Sequence, residues 1–381
     1  MTADSTGPFY EFFCGAGMAR LALAGRFDCV FANDISPRKA AAYGAAHGTD
    51  HLVIGDVWDL SAQDLPGHAA LAWASSPCQD LSLAGKRGGL ASPRSGAFFG
   101  FWRLMEALAE DGRAPATIVL ENVSGLFTAN HGADFARIVL AMADLGYQVG
   151  AVEIDAALFT PQSRPRAFIV ASRASAGALI TDAPSPPFHS PKVVAAAAKL
   201  PSPARGAWRW WRLPAPPLRN AALADCLEDD GAPVWRSAAQ TESLLHLMTP
   251  AQRARLEALR REGGRAVGAG FRRVRQEPAG KRQRLEARFD GLAGCVRTPG
   301  GGSSRQFILA IDRGEVRARL MTAREAARLM GLPDSFPLPV AETQALQVIG
   351  DGVCVPVARW LGDHLLAPLA SLSIAAAKAA A

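Results

Sequence analysis

A cysteine follows a proline at the end of an apolar run in "AWASSPCQDLS", residues 72–82. A thiol at the exit of a buried strand is either an inert packing residue or a nucleophile, and Cys78 alone does not decide between them. Two later stretches bear on the choice. In "IVLENVSGL", Glu121 and Asn122 close another apolar run. A carboxylate there is either a strand-end cap or an acid kept partly protonated by its surroundings. In "TPQSRPRAFIV", Arg164 and Arg166 hold alternate positions entering a strand and so fall on one side of the chain. A thiol, an acid and paired arginines at the ends of parallel strands are the expected parts of an active site for nucleophilic chemistry.

A second set of residues suits a cofactor. "FYEFFCGAGMARLALAG" puts Phe13, Gly15 and Gly17 where a strand hands over to a helix, and glycines there let the backbone approach a ligand. Glu11, just upstream, can accept from a charged amine. The third glycine of the dinucleotide fingerprint is missing. About twenty residues on, a second strand ends in Asn33-Asp34, where an acid can bind ribose hydroxyls. Asp56 of "GDVWDL" ends the next unit. Acids at successive strand ends, with no phosphate-binding lysine motif beside them, fit S-adenosylmethionine better than ATP or NAD.

The elements that must position these residues follow from periodicity. Strands are expected over 9–13, 29–32, 71–75, 117–121, 148–154 and 166–171. Helices are expected in "GMARLALAG", "SPRKAAAYGAAHG", "SGAFFGFWRLMEALAE" and "GADFARIVLAMADLG". This alternation predicts an α/β fold, a Rossmann-like, mostly parallel sheet covered on both faces, with ligands at the carboxyl ends of its strands. Residues 1–179 form the expected catalytic and cofactor-binding domain. From 180 to 317 the chain is rich in proline and glycine and reads as a smaller, irregular unit. Residues 318–369 return to the catalytic domain, beginning with a helix capped by Thr322 and Glu325, and 370–381 form a flexible tail.

Composition narrows the class. The chain has 381 residues, 49% hydrophobic and 20% charged, which suits a globular protein with a buried core. No apolar run reaches membrane-spanning length and the N-terminus lacks the pattern of a secretion signal, so a cytoplasmic protein without membrane contact is expected. Six scattered cysteines predict neither a metal site nor a disulfide framework. The formal charge of +6 is concentrated: residues 253–288 carry twelve Lys/Arg against four Glu. Such a stripe suits a polyanion, although a solvated helix face has the same composition.

Taken in order, "FFCGAG", "NDIS", "GDV", "SSPCQDLSLAGKR", "ENVSGL", "PQSRPR", "TAREAARLMGLPDSF" and "VIGDGVCVPVARWL" resemble the motifs of the DNA (cytosine-5)-methyltransferases. They span nearly the whole chain outside 180–317. The resemblance implies an enzyme that flips a cytosine from double-stranded DNA and methylates its C5 from S-adenosylmethionine, in a restriction–modification system or as an orphan methylase. By the same resemblance Cys78 attacks C6, Glu121 holds the N3 edge, Asn122 steadies the loop and base, Arg164 binds O2 and orients Cys78, and Arg166 supports it. Phe13, Gly15, Gly17 and Pro77 line the cofactor site, with Asp34 at the ribose and Asp56 at the adenine amino group.

Three positions depart from the family pattern. Glu11 stands where Asp is frequent. Ile35 replaces an aromatic, which weakens adenine stacking, and Asp351 replaces Asn near the methionine end. Residues 79–96, "QDLSLAGKRGGLASPRSG", read as a lid over DNA, with Ser82, Lys86, Arg87 and Arg94 as contacts. Residues 180–317 are the implied target-recognition domain, in which Arg272, Arg273 and Arg275 meet phosphates or guanine edges. Trp208, Trp210 and Trp211 read as a core cluster of that domain. A monomer is expected, with a cognate restriction endonuclease as a candidate partner. Two alternatives stay open: a tRNA cytosine-5 methyltransferase, and a non-catalytic DNA-binding module of methyltransferase fold. The basic insert favours DNA, and intact Cys78, Glu121 and Arg164 disfavour the second.

Overall fold

The computed structural model describes residues 5–77, 96–219, 221–229, 231, 233–278, 280–300 and 304–380, with the backbone alone for 374–380. Cys78, Ser82, Lys86, Arg87 and Arg94 lie outside the described residues. The chain forms two compact units, one from Met1–Asp155, Pro165–Pro216 and Val353–Ala381, the other from Ala156–Arg164 and Pro217–Gly352.

In the first unit seven strands make one sheet: β1 (Pro8–Phe12), β2 (Asp28–Asp34), β3 (Leu52–Ile54), β4 (Leu71–Ser75), β5 (Thr117–Val123), β6 (Gln148–Asp155) and β7 (Pro165–Ser172). Their order is β3-β2-β1-β4-β5-β7-β6. The first five run parallel, while β7 is antiparallel to both β5 and β6. The apolar runs locate six of these strands. The sequence reading misses β3, a three-residue edge strand whose Val53 and Ile54 are exposed, so it carries no buried signature.

The helices Gly96–Glu110 and Ala133–Asp144 bury apolar residues at helical spacing. Phe98, Phe101, Trp102 and Met105 come from the first, Phe135, Ile138, Val139 and Met142 from the second, and all join one core. Strand order reverses between β1 and β4, which opens a crevice at the carboxyl ends of the strands.

The compact units divide the chain at other points than the sequence reading does. Residues 180–216 cluster with the first unit, where β8 (Ile180–Thr181) pairs with β9 (Trp210–Trp211). Trp211 is fully buried and its indole N–H donates to the Val170 carbonyl at 3.2 Å. Trp208 and Trp210 pack against the same core, so the tryptophans are core residues of this unit rather than of the recognition unit. The tail read as flexible is helical over Ala367–Ala380, with Leu369 and Ala370 buried. No helix among the described residues is long and apolar enough to cross a membrane.

The second unit is regular, which corrects the expectation of an irregular one. Four antiparallel strands, β10 (Ala266–Glu277), β11 (Gly280–Arg288), β12 (Gln306–Asp312) and β13 (Glu315–Leu320), form a sheet in the order β11-β10-β12-β13. Leu244, Leu245, Met248 and Leu256, from two helices and their linker, pack with Leu285, Phe307, Leu309 and Ile311. The basic stripe is therefore one helix followed by a long hairpin, not one helix face. The helix Ala323–Leu329, expected in the catalytic domain, also belongs to this unit. Its capping box is formed as predicted: Thr322 Oγ1 accepts from Glu325 N–H at 3.2 Å, and Glu325 accepts from Thr322 N–H at 2.9 Å.

Candidate active site

Beyond β1 the chain turns through left-handed backbone at Phe13 (φ 55°), Gly15 (φ 57°) and Gly17 (φ 73°). The two glycines serve different ends. A Cβ on Gly15 would meet nothing within 4 Å, so that side of the loop is open to a ligand. A Cβ on Gly17 would lie 2.5 Å from His47 and 2.8 Å from Tyr43, so internal packing demands that glycine. Asp34, at the end of β2, ties the loop down. Its Oδ2 accepts from Gly15 N–H at 2.9 Å and its Oδ1 from Ser36 N–H at 2.8 Å.

Asn33 donates to the carbonyls of Val53 and Gly55, both at 3.1 Å, and so binds the end of β2 to the end of β3. Asp56 is held one residue further on, with Oδ1 accepting from Trp58 N–H at 3.0 Å. Ile35 is 64% exposed beside Asp34.

Glu11 is buried, with Oε1 accepting from Arg20 N–H at 3.3 Å and Oε2 lacking a hydrogen-bond partner among the described residues. Burial pushes its pKa up to about 8, against the opposing pull of the Arg20 backbone N–H and guanidinium. Sequence reasoning does not see what lies beneath this loop: Arg20 donates to Tyr43 Oη at 3.1 Å and contacts His51, which is 2.8 Å from the same hydroxyl. These contacts join the helix after β1 to the segment before β3, and no local pattern announces them.

The open side of Gly15, the exposed apolar Ile35 beside Asp34, the Asp56 carboxylate and the orphaned buried oxygen of Glu11 suit a ligand with an apolar ring, hydroxyls and donors. The residues fit S-adenosylmethionine.

On the other side of the reversal, β4 exits into Ser76 and Pro77. Asn122 is buried, and its amide nitrogen donates to the Ser76 carbonyl at 3.3 Å and hydroxyl at 3.0 Å. This fixes the main chain two residues before Cys78. Because β7 enters antiparallel against the end of β5, Val123 pairs with Arg166 and Glu121 with Phe168, which places all four on one face. Arg166 Nε lies 3.3 Å from Glu121 Oε1, and both side chains are largely buried.

Arg164 has other partners. It is 2% exposed in the second unit, where it donates to the carbonyls of Val296 at 2.7 Å, Gly350 at 3.0 Å and Gly352 at 2.7 Å. Gln162, which sequence reasoning passes over, accepts from Val296 N–H at 2.9 Å and donates to the Leu329 carbonyl at 2.9 Å. Asp351 is the last residue of the helix Glu342–Asp351 and accepts from the Thr298 hydroxyl. Main chain at 297–298 crosses Gly350 so closely that a Cβ there would come within 2.3 Å of Thr298 N.

The hairpin arginines are also separated. Arg272 stands opposite the buried Leu285, whereas Arg273 and Arg275 stand opposite Arg284 and Arg282 on the other face.

An α/β sheet of this order, with acids at the ends of β2 and β3 and a buried Glu–Arg pair at the end of β5, defines an S-adenosylmethionine-dependent methyltransferase fold. The chain belongs to the C-5 cytosine-specific DNA methylase family, whose model matches residues 8–367. It is similar to the Type II methyltransferase M.NlaX of Neisseria lactamica, 29% identical over 369 residues that cover 95% of this chain and 97% of the relative. M.DsaV of Dactylococcopsis salina is 27% identical over 364 residues, 94% and 85% of the two chains. Among solved structures, the S. pombe Dnmt2 methyltransferase shares the fold, with a TM-score of 0.57 and 20% identity over 93% of this chain and 96% of that one. The protein is a DNA (cytosine-5)-methyltransferase that uses S-adenosylmethionine and acts on DNA.

Proposed function

We propose that the enzyme methylates a cytosine flipped out of duplex DNA, with Cys78 as covalent nucleophile and the Glu121–Arg166 pair as the clamp on the base. A stacked base cannot enter a pocket, so extrusion precedes chemistry. C5 is a weak nucleophile until something adds at C6. The Cys78 thiolate forms the S–C6 bond, and the ring electrons move toward C5 and N3. Glu121, as the acid, hydrogen-bonds N3 and balances charge developing there. Arg166 takes O2, the role the resemblance gives Arg164, because Arg166 is the arginine that meets Glu121. Asn122 positions the Cys78 segment through Ser76.

S-adenosylmethionine supplies the methyl group. Asp34 receives its ribose and Asp56 its adenine amino group. Phe13, Ile35 and Pro77 form apolar walls, Gly15 allows close approach, and Glu11 offers its unpaired oxygen. Loss of the C5 proton and cleavage of the S–C6 bond restore the thiolate. Ser82, Lys86, Arg87 and Arg94 contact the DNA backbone, and the second unit selects the sequence. We read the enzyme as a cytoplasmic monomer, and its similarity to Type II methyltransferases favours a cognate endonuclease beside it.

One observation carries the catalytic assignment: the buried Glu121–Arg166 pair beside the Asn122 anchor of the Ser76-Pro77 exit. Base-resolution 5-methylcytosine sequencing of a methylation-free host tests it. Methylation at one short motif, absent for Cys78→Ala and severely reduced for Glu121→Gln, is the expected result. DNA carrying 5-fluorocytosine at that motif should trap a covalent complex, since fluorine cannot leave as a proton does. No mark on DNA from folded wild-type protein, with methyl transfer to RNA instead, would overturn the DNA reading.

A further inference from the structure

Side chains on the β10–β11 hairpin divide between two faces, because directly opposed residues of antiparallel strands share a face. One face holds buried Leu285 opposite Arg272. The other holds Phe271 opposite Glu286, Arg273 opposite Arg284, and Arg275 opposite Arg282. Two arginine pairs thus stand across from each other, an arrangement that opposes sheet formation unless something offsets it.

Within the protein two glutamates do so. Glu286 takes Arg275 through both donors of one guanidinium edge, Nε to Oε1, and Nη2 to Oε2 at 2.7 Å. Glu277 takes Arg284 in the same bidentate way, at 2.6 and 2.8 Å. Three cations on this side are not matched so. Arg282 is exposed, and Arg273 reaches Glu286 only at 3.7 Å. Arg297 is exposed and has no carboxylate partner among the described residues.

Arg273 and Arg297 both lean on the Phe271 ring, 4.8 and 5.7 Å from its centroid. Burial first, and then the neighbouring Arg297, lower the pKa of Arg273. Two guanidiniums thus gather on one ring, and among the described residues no carboxylate bridges both.

We propose that the Phe271 face of this hairpin reads the DNA site, with Arg273 and Arg297 clamping a backbone phosphate and Arg275 and Arg284 exchanging their glutamates for guanine edges. The proposal rests on the DNA-methyltransferase reading and adds which residues select the sequence. A guanine offers O6 and N7 to a guanidinium fork much as a carboxylate offers its two oxygens. Each glutamate therefore holds the Nε–Nη2 edge of its arginine ordered, so little side-chain freedom remains to be lost on binding. Arg275–Glu286 is half-exposed and Arg284–Glu277 more covered, and ion pairs still open to water contribute modestly to stability, so the exchange meets little resistance.

The test uses the full-length enzyme in four variants: the Arg273→Ala/Arg297→Ala double, Arg275→Ala, Arg284→Ala, and Arg313→Ala as control. Arg313 is an exposed arginine in the β12–β13 turn, at the end of the sheet away from the hairpin tip. DNA binding is measured across salt concentrations, and the methylated motif is read by 5-methylcytosine sequencing. The double variant should weaken binding to all duplexes and lower the slope of log affinity against log salt by about 1 to 2, with the motif unchanged. Arg275→Ala and Arg284→Ala should each relax one motif position, with roughly ten- to a hundred-fold less discrimination. Lysine replacements separate the roles further: Arg273→Lys should keep the salt slope, whereas Arg275→Lys should relax the motif as alanine does. Unchanged motif and slope in the hairpin variants, with the wild type active on DNA, would overturn the hairpin assignment. An inactive wild type would instead overturn the reading beneath it.

Discussion

The polar groups at the strand ends and those on the hairpin are bonded in opposite ways. At the strand ends they hold main chain: Asp34 takes two backbone N–H groups, Asn122 takes Ser76, and Arg164, in the second unit, takes three carbonyls. On the hairpin, side chains hold one another at the surface, as Arg275 does Glu286 and Arg284 does Glu277. Buried polar groups cannot trade their partners for water, so they fix geometry. Exposed pairs can trade theirs, which suits a surface that must accept a ligand.

This contrast breaks first at Arg164. Replacing it with alanine leaves buried carbonyls without donors and should cost about 3–5 kcal/mol in urea unfolding. Lysine should recover little, because one ammonium cannot span the positions a planar fork reaches. A variant as stable as wild type would place Arg164 with the hairpin arginines.

Glu11 sharpens the same point through pH. Its native pKa, about 8, lies above the usual carboxylate range, so the native state favours the protonated acid. The stability this contributes is complete below about pH 4.5, falls as pH rises toward about 8, and then levels, a loss on the order of a few kcal/mol. Melting temperatures from pH 5 to 9 should show that decline, and Glu11→Gln should flatten it. An equally steep decline in the variant would assign the slope to other groups.

Asn122→Ala should cost about 1–3 kcal/mol and lower kcat more than it raises KM for DNA, since it frees the Ser76 anchor of the segment that carries Cys78. Equal loss in both constants would argue against a positioning role. The smallest effect is expected at the surface. Glu277→Gln and Glu286→Gln should each lower stability by no more than about 1 kcal/mol, as the opposed arginines lose their offset, while raising affinity for random duplex at low salt. A large drop in melting temperature would mean that these pairs belong with the buried set.

Most of the first sheet was legible because its central strands are buried on both faces and read as continuous apolar runs. The left-handed turn at Phe13 and Gly15 and the end of β2 at Asp34 were legible for a local reason: strand ends and glycine turns show in short spans of sequence. The second sheet was hidden because β11 alternates arginine with little apolar residue and β10 opens on alanine and glycine, while their cover comes from Leu244, Leu245 and Leu256, at a distance in sequence. A period of two places Arg164 and Arg166 on one side only if both lie in the same strand. Strand β7 begins at Pro165, so the rule does not reach Arg164.

The sequence by itself determined the family, the parallel order of chemistry-bearing strand ends and the capped helix at Thr322, because these depend on residue type over short spans. Tertiary structure alone decided which arginine meets Glu121 and which hairpin arginines share a face. Both depend on the register of antiparallel partners, β5 with β7 and β10 with β11, and a shift of one residue in either would turn every side chain to the other side.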